Sequence, residues 1–342
     1  MRFARGLRSI RWMSSTSNYN LEKPAAALAA YLAQEPGLPE LPLAEVRKSL
    51  EGAQAGVPMP DVDETWITVP AEVGDVRVLL IKPRGPDADL PVVLYMHGGG
   101  WVFGSAASHG RLAAELAVAS QAAVAFIEYS LAPEAKYPVQ IEQCYAVARW
   151  VTEQGGTHGL DASRIAVAGD SAGGNMATVL CLMAKQRGNV SFVQQSMYYP
   201  MTDALTDQDS ESYRLFKDGP YGDAKTMEWF WRSYLPDEGL RSESTVSPLR
   251  ATLDELRGLP PALVIVDEND VIRDQGEAYA TKLRDADVAT ASVRFNGTMH
   301  DFMMLAVLRD SETTHAAMSL AASTLRRAFG TDHELGGAND VR

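Results

Sequence analysis

The chain is poor in cysteine, in net positive charge and in long apolar runs, and each shortage excludes a class of protein. Only two of its 342 residues are cysteines, Cys144 and Cys181, which excludes a disulfide-dense scaffold. Both lie in apolar, helix-like runs and are expected to be buried thiols. The formal net charge of −13 would repel nucleic-acid phosphates, so we expect no nucleic-acid partner. No apolar run approaches the ~20 residues of a membrane-spanning helix, so we expect no integral membrane protein.

The first twenty residues lack acidic side chains, since the first acid is Glu22. Four arginines are evenly spaced there: Arg2, Arg5, Arg8 and Arg11. This Arg-rich, amphipathic composition is typical of a mitochondrial transit peptide, and a disordered tail is the alternative. Residues 1–18 are therefore a possible targeting segment or tail. The first interpretation predicts a mitochondrial location, and the second a cytoplasmic one.

The remainder, residues 19–335, alternates between strand and helix patterns and is expected to form a single domain. Its hydrophobic content of 46% is enough for a large core. Two alternating segments, Glu64–Val69 and Asp75–Lys82, predict an antiparallel hairpin. Six further strands are predicted: Pro91–His97, Ala123–Tyr129, Arg164–Ala168, Val193–Tyr199, Ala262–Val266 and Ala291–Phe295. Helices are predicted near Arg111–Ala119, Gln140–Glu153, Gly174–Lys185, Glu277–Ala286 and Thr313–Phe329. This alternation predicts an α/β fold, with a mostly parallel sheet flanked by helices.

Two segments depart from this alternation. Residues 20–60 carry helical patterning broken by prolines, which predicts one or two short helices laid over the core. Residues 202–248 form an insert that is rich in large aromatic side chains, namely Trp229, Phe230, Trp231 and Tyr234. The insert predicts either part of a cap over a site or ordinary packing of a peripheral helix, and both interpretations stay open.

The pentapeptide Gly169–Gly173 reads G-x-S-x-G and stands between a strand pattern and a helix pattern. That context is the nucleophile elbow, a sharp turn that presents a serine hydroxyl at the carboxyl end of a parallel sheet. The strained backbone brings Gly169 and Gly173 close to neighbouring elements, where a Cβ would clash. Ser171 is therefore the candidate nucleophile, with Asp170 as a supporting residue of the motif.

A serine hydroxyl needs a base, and the base needs an orienting carboxylate. In the α/β-hydrolase order the acid and then the histidine follow the serine. Of the later histidines, His315 lies in a helical run and His333 in a glycine-rich tail, whereas His300 follows a predicted strand. His300 is therefore the candidate base.

Three carboxylates compete for the role of the acid at the end of the strand Ala262–Val266. They are Asp267, Glu268 and Asp270. The residues alone favour the loop beyond the strand, and hence Asp270 or Glu268, without deciding between them.

The run His97–Trp101 follows the strand that begins at Pro91 and contains three successive glycines. Such a loop can turn its N–H groups toward a developing oxyanion, and the N–H of Ala172 would complete the hole. His97 is interpreted as a structural loop residue, because the hydrolase order places the base last. Gly98 supports the same loop.

Five motifs in this order resemble the hormone-sensitive-lipase family of α/β-hydrolases, in its GDSAG subgroup. They span residues 90–303, with weaker likeness outside. The motifs are His97–Trp101, Tyr129–Glu134, Gly169–Gly174, Asp270–Gly276 and His300–Phe302.

The resemblance implies the acid, the oxyanion donors and the activity. The family's D-P-L-R-D-E-G stretch begins with the catalytic aspartate, and that position matches Asp270. The family pattern also implies Gly99 and Gly100, with Ala172, as oxyanion donors. N-terminal residues are expected to help residues 202–248 build a helical cap. The expected activity is hydrolysis of small carboxylic esters with short to medium acyl chains, without metal or cofactor, by a monomer or homodimer.

Three positions depart from the family pattern. Val271 replaces the usual proline, Ser130 the usual arginine, and Asp301 the usual glycine after the histidine. If Asp301 faces His300, its charge should favour the imidazolium and raise the pKa of the base. Amide hydrolysis and acyl transfer on the same three residues are the alternative reactions. A non-catalytic small-molecule receptor is disfavoured, because all three residues are retained.

Overall fold

The computed structural model describes residues 19–85, 88–205 and 207–332. Within these ranges one sheet has eight strands in the spatial order β1-β2-β4-β3-β5-β6-β7-β8. The pairs β1/β2 and β2/β4 are antiparallel, and the other neighbouring pairs are parallel. The predicted hairpin and mostly parallel sheet are therefore confirmed. The strands are β1 Val62–Val69, β2 Val76–Pro83, β3 Leu90–Met96, β4 Ala123–Glu128, β5 Leu160–Asp170, β6 Gln194–Tyr198, β7 Ala262–Asn269 and β8 Thr290–Met299.

Helices cover both faces of this sheet. Strand β3 shows why its sequence is almost continuously apolar: Leu94 packs into one core, and Val93 and Tyr95 pack into the other. Successive side chains of a strand point to opposite faces, and a parallel sheet is buried on both. Within the described ranges the helices are α1 Lys23–Leu32, α2 Leu43–Gln54, α3 Ala106–Ser120, α4 Val139–Gln154, α5 Ala172–Arg187, α6 Glu211–Phe216, α7 Ala224–Tyr234, α8 Leu253–Leu256, α9 Arg273–Asp285 and α10 Glu312–Phe329. None of these described helices has both the length and the apolar character to cross a membrane.

Strand β8 is longer than the sequence predicted. It continues past Phe295 to Met299, although Gly297 lies within it at φ 80°. The register of β7 against β8 shifts at this point, which accommodates the glycine as an irregularity instead of an end. The prediction that the strand ends at Phe295 is therefore wrong, and His300 follows β8 directly.

The N-terminal segment packs over the carboxyl edge of the sheet. The N–H of Glu22 donates to the carbonyl of Gly297, and Asn20 donates from its amide to the Glu268 carboxylate. Helix α1 and residues between 218 and 226 line one cleft together. The predicted cap from the N-terminal segment is therefore present.

Helix α7 satisfies both interpretations of the 202–248 insert. Met227 and Phe230 line the pocket beside Ser171. Trp231 and Tyr234, on the same broad buried face of the helix, pack against Trp101 with ring centroids 4.7 and 4.1 Å away. The insert thus covers the site with one set of side chains and anchors itself with another.

Candidate active site

Four loops at the carboxyl ends of parallel strands bring the predicted site residues together. The loop after β3 contributes Gly99 and Gly100, and the turn after β5 contributes Ser171. Asp270 follows β7 and His300 follows β8. The carboxyl ends of parallel strands meet at one edge of a sheet, which is where α/β proteins place their sites.

The turn at Ser171 has the strain expected of an elbow. Ser171 lies at φ 53° and ψ −117°, a backbone conformation that residues other than glycine rarely adopt. A Cβ at Gly173 would lie 1.9 Å from the carbonyl oxygen of Met96, and one at Gly169 would lie 2.4 Å from the backbone of Gly173. Glycine is therefore required at both positions by direct backbone contact.

Ser171, His300 and Asp270 form a continuous hydrogen-bonded chain. The Ser171 hydroxyl donates to Nε2 of His300 over 2.9 Å, and Nδ1 of His300 donates to the Asp270 carboxylate over 2.7 Å. The second oxygen of Asp270 accepts the backbone N–H of Ile272 at 3.0 Å. All three side chains are at most 3% exposed. A buried, aligned chain of this kind can move a proton off a serine hydroxyl.

The other two carboxylates that competed in the sequence have different partners. Glu268 accepts the backbone N–H of Gly297 at 2.8 Å and the amide of Asn20, and thereby fastens the N-terminal segment. Asp267 is fully buried, has a ligand atom within 4.8 Å of those of Asp270 and His300, and makes no hydrogen bond to a donor in the described residues. Of the three, only Asp270 contacts the His300 ring by a hydrogen bond.

The glycine loop after β3 faces Ser171. Gly99 and Gly100 have φ values of 91° and 58° and line the same small pocket as the serine. A Cβ at Gly99 would meet the carbonyl oxygen of Phe103 at 2.3 Å, and one at Gly100 would meet the Phe230 ring at 2.1 Å. Both glycines are thus required by conformation and by space.

Ala172 begins helix α5 and is fully buried. The N–H groups of a helix's first turn have no intrahelical partner, so that of Ala172 remains available to an acceptor beside Ser171.

His97 lies beneath the glycine loop and not in the pocket. Its ring stacks on Tyr129 at 4.2 Å, and its Nδ1 lies 2.8 Å from the carbonyl oxygen of Gly98. Burial lowers the pKa of His97 to about 3, so the ring is neutral. A Cβ at Gly104 would lie 2.2 Å from this ring, so glycine is needed there to leave room for the ring. The interpretation of His97 as a loop residue agrees with this location.

Asp170 joins the glycine loop to the elbow from below. Its carboxylate accepts from the Tyr95 hydroxyl at 2.6 Å and lies 3.4 Å from Nε2 of His109. Burial by itself would raise the pKa of Asp170, but His109 and Tyr95 outweigh it and lower the pKa. A Cβ at Gly98 would lie 2.3 Å from the same carboxylate, so the two motifs interlock.

Apolar side chains narrow the space above Ser171, and of these the sequence pointed only to Phe230, in the aromatic insert. The pocket that contains the serine and histidine has a volume of about 20 Å³. It is closed by apolar side chains that include Leu38, Phe103, Met227 and Phe230. A cleft of about 620 Å³ adjoins it and shares Leu38 and Tyr221 with it. The sequence shows that these residues lie in aromatic or proline-rich segments, but it does not show that their side chains point toward Ser171.

The electrostatic environment of His300 favours its protonated form. Burial alone would lower the pKa of this ring, but the carboxylates of Asp270 and Asp301 outweigh burial and raise it. Oδ1 of Asp301 lies 3.6 Å from Nε2 of His300, on the side of Ser171. The sequence predicted a raised pKa of His300 if Asp301 faces the base, and Asp301 does face it.

Asp301 occupies a backbone conformation suited to glycine. Its φ is 65°, in the left-handed region, and its side chain is 4% exposed. Burial raises the pKa of Asp301, while His300 and the Tyr221 hydroxyl of the cap lower it in part. The usual family glycine and the aspartate here are thus both compatible with the turn.

Asp267, Asp270 and His300 are the described side chains whose spacing could hold a metal ion. The His300 nitrogen nearest the carboxylates is already hydrogen-bonded to Asp270 at 2.7 Å. A ring nitrogen that donates a proton has no lone pair for a metal. The hydrogen-bonded chain accounts for this arrangement.

Known proteins resemble the chain over most of its length. A family model described as alpha/beta hydrolase fold matches residues 93–304. The carboxylesterase NlhH of Mycobacterium tuberculosis is 36% identical over 257 residues, or 75% of this chain and 79% of that protein. An ethyl acetate hydrolase of Pseudomonas putida is 37% identical over 231 residues, or 67% of this chain and 71% of that protein.

Solved structures agree with these relatives. A thermostable esterase from Pseudomonas putida ECU1011 superposes with a TM-score of 0.88 at 39% identity, covering 92% of this chain and 99% of the esterase. The eight-stranded sheet, the elbow at its carboxyl edge and these similarities lead to one conclusion. The chain belongs to the α/β-hydrolase fold family, among the hormone-sensitive-lipase-like carboxylesterases.

Proposed function

We propose that the protein hydrolyses small carboxylic esters through Ser171, His300 and Asp270. The observation that carries the proposal is the continuous chain of hydrogen bonds, 2.9 Å from Ser171 to His300 and 2.7 Å from His300 to Asp270. Its position beside a glycine loop and below a cap is the arrangement that acyl transfer requires.

In the first half of the reaction, Ser171 Oγ attacks the ester carbonyl carbon while its proton passes to Nε2 of His300. Asp270 holds the ring through Nδ1 and stabilises the imidazolium. The carbonyl oxygen becomes an oxyanion, which accepts hydrogen bonds from the N–H groups of Gly99, Gly100 and Ala172. The imidazolium then protonates the departing alcohol oxygen, the C–O bond breaks, and an acyl-serine remains.

In the second half, a water molecule takes the place of the alcohol. His300 accepts one proton of the water while its oxygen attacks the acyl-serine carbonyl. The second tetrahedral oxyanion occupies the same donors. When it collapses, the proton returns to Ser171 Oγ and the carboxylic acid leaves. The cycle needs no electron transfer, and in each half His300 releases the proton that it has accepted.

The shape of the site leaves room for a very small group beside Ser171 and for a longer one in the adjoining cleft, and the acyl chains that we propose are short to medium. Phe103, Met227 and Phe230 close the space beside Ser171 to a pocket of about 20 Å³, whereas the adjoining cleft is far larger. We propose that the acyl group enters the small pocket and the alcohol part extends into the cleft. The name of the relative called ethyl acetate hydrolase specifies an ester with a two-carbon acyl group, which is at the short end of the proposed range.

Hydrolysis of nitrophenyl acetate and butyrate by the wild type and by Ser171→Ala tests the proposal. We expect the variant to lose about 10⁴-fold or more in kcat. Equal rates in both proteins would remove the reaction from this site. A matched ester and amide pair, with alcohol acceptors added in a further assay, then distinguishes ester hydrolysis from amide hydrolysis and acyl transfer.

A chain-length series of nitrophenyl esters measures the acyl preference. We expect kcat/KM to fall beyond medium chains, and Phe230→Ala to shift the preference toward longer acyl groups by removing the ring that closes the pocket. An unchanged preference in this variant would place the acyl group elsewhere.

The targeting prediction concerns residues 1–18, which lie outside the described residues. We propose a fusion of this segment to a fluorescent reporter as its test. Import into mitochondria supports a transit peptide, and a diffuse cytoplasmic signal supports the tail.

A further inference from the structure

A second aspartate lies beside the proposed acid and has no role in the reaction described above. Asp267 stands three residues before Asp270, near the end of β7, and is fully buried. Neither of its carboxylate oxygens has a hydrogen-bond donor among the described residues. A buried, ionised carboxylate without donors is strongly unfavourable, so this position needs an explanation.

The groups around Asp267 are mostly acidic. Single ligand atoms of Asp267, Asp270 and His300 lie within 4.8 Å of one another. Asp301 faces the same imidazole from the loop after β8, and Tyr199, which follows β6, has its pKa raised by burial and by nearby carboxylates that include Asp267. Three carboxyl groups thus share one imidazole as their basic partner.

Three negative charges around one imidazole would repel one another in a dry environment. Burial raises the pKa of Asp267 well above its ordinary value, and the charge of Asp270 raises it further. A carboxyl group that keeps its proton gains one O–H donor. The Asp270 carboxylate is an acceptor close by, with ligand atoms of the two residues within 4.8 Å of each other. Its hydrogen bonds given so far are those to His300 and Ile272.

We propose that Asp267 is a positioning residue that, as a neutral carboxylic acid, donates a hydrogen bond to the Asp270 carboxylate and holds it against His300. This inference rests on the function proposed for Ser171, His300 and Asp270. Asp267 would act through Asp270 and would not touch the substrate. It would orient the carboxylate without adding a charge that makes the base more basic.

Two substitutions separate donation from mere filling of space. Asp267→Asn keeps a donor of similar size, and we expect it to stay within about threefold of the wild-type kcat. Asp267→Leu fills the same volume without a donor, and we expect a loss of about tenfold in kcat with an unchanged KM, because the orientation of Asp270 is lost. Equal kcat values in the Leu and wild-type proteins would overturn the proposal.

The pH profile distinguishes a neutral acid from a charged one. Asp267→Asn should leave the acid limb of kcat/KM where it is in the wild type, because no charge is removed. Asp301→Asn is the matched control, and we expect it to move this limb to lower pH, because it removes a carboxylate that contacts His300. A limb displaced in Asp267→Asn as far as in the control contradicts a neutral Asp267.

Thermal unfolding provides a measurement that does not depend on catalysis. Above the pKa of an unfolded aspartate, about 3.9, the unfolded chain releases a proton that the folded protein retains at Asp267. The stability of the wild type should therefore fall with rising pH relative to that of Asp267→Asn. The Tm of the variant minus the Tm of the wild type should increase as the pH rises from 5 to 8. A constant Tm difference over this range would overturn the inference.

The two proposals can fail separately. Activity that survives in Ser171→Ala removes the proposed function, whereas the Tm comparison of Asp267→Asn still decides whether Asp267 is neutral. Loss of activity in Ser171→Ala together with a constant Tm difference removes only the role of Asp267.

Discussion

The two halves of the candidate site are built by different forces. On the side of Ser171, the elbow and the glycine loop are held by backbone contacts so close that a single Cβ would collide at Gly173 or Gly169. On the side of His300, the neighbours are carboxylates, with Asp270 at 2.7 Å and Asp301 at 3.6 Å. One half depends on the exclusion of atoms, and the other on the balance of charge.

This difference predicts how each half responds to change. Packed backbone has no freedom to adjust, so a substitution there should disturb stability and geometry together. A charge cluster can tolerate a substitution of similar shape while the protonation of its members shifts. The substitutions below separate these responses, from the largest expected effect to the smallest.

Asp270→Asn should have the largest effect on activity. The amide has no negative charge to stabilise the imidazolium, and its N–H group can hold His300 in the wrong tautomer, so we expect kcat to fall by about 10⁴-fold with little change in the fold. The measurement is steady-state hydrolysis of nitrophenyl acetate, with circular dichroism as the check on folding. A fall of less than tenfold would point to another acid. Glu268→Gln is the matched control and should keep most of the activity.

Gly173→Ala should damage both stability and activity. The new Cβ would lie 1.9 Å from the Met96 carbonyl oxygen, so the elbow must move. Overpacking costs about 1–3 kcal/mol of folding free energy, and displacement of Ser171 by an ångström costs about 10²-fold in rate.

Gly52→Ala serves as its control. A Cβ at Gly52, in helix α2, meets nothing within 4 Å. We expect this change to stabilise the helix by about 0.5–1 kcal/mol and to leave the rate unchanged. Thermal unfolding and the esterase rate, measured on both variants, test the steric half of the comparison. Similar Tm values for the two would contradict it.

Tyr95→Phe should have an intermediate effect on stability. It removes a partner of the buried Asp170 carboxylate, which packs against Gly98 on the Ser171 side of the site. It removes the 2.6 Å donor to the buried Asp170 carboxylate, which costs about 1–3 kcal/mol of unfolding free energy. The folded-state pKa of Asp170 is lowered, so the stability that it contributes is present near neutral pH and is lost as the pH falls through that pKa. The loss in Tyr95→Phe should therefore be larger at pH 7 than under acidic conditions.

Tyr234→Phe is the corresponding control in denaturant unfolding. Tyr234 is also fully buried, but its hydroxyl has no hydrogen-bond partner in the described residues. We expect little loss of stability in this variant. An equal loss in both variants would mean that the Asp170 contact contributes nothing specific.

Asp301→Gly should change the pH profile with the smallest effect on the maximal rate. The base acts only when its imidazole is neutral, so activity falls as the pH drops through the pKa of His300. Asp301 raises that pKa, and its removal should move the acid limb of the profile to lower pH. Glycine is favourable at φ 65°, so the fold is preserved. An unchanged limb would mean that the charge of Asp301 does not reach the base.

Patterns of short range made most of the fold predictable. The alternation of apolar strands and helices predicted the parallel sheet, and the glycines around Ser171 predicted a turn that excludes Cβ atoms. The ends of strands were harder to predict. Strand β8 continues past Gly297 because its pairing with β7 shifts register there. This shift depends on a partner strand that is distant in sequence.

The residues alone did not separate the roles of the neighbouring acids, and only the family resemblance pointed to Asp270. Asp267, Glu268 and Asp270 stand within four consecutive positions, yet one fastens the N-terminal segment, one contacts the imidazole, and one is buried without a donor. Successive residues of a strand point to opposite faces, and the loop beyond it turns back. The direction of each carboxylate therefore depends on elements that lie far away in the chain.

The sequence by itself determined which chemical groups the site contains and the order in which they occur, because backbone conformation and apolar periodicity are local properties. Only the tertiary structure decided their environment: where Asp267 and Glu268 lie, that Asp301 faces the His300 ring, and that Phe230 closes the pocket. Hydrogen bonds, burial and electrostatic fields act between atoms that are close in space, and folding brings together residues that are far apart along the chain.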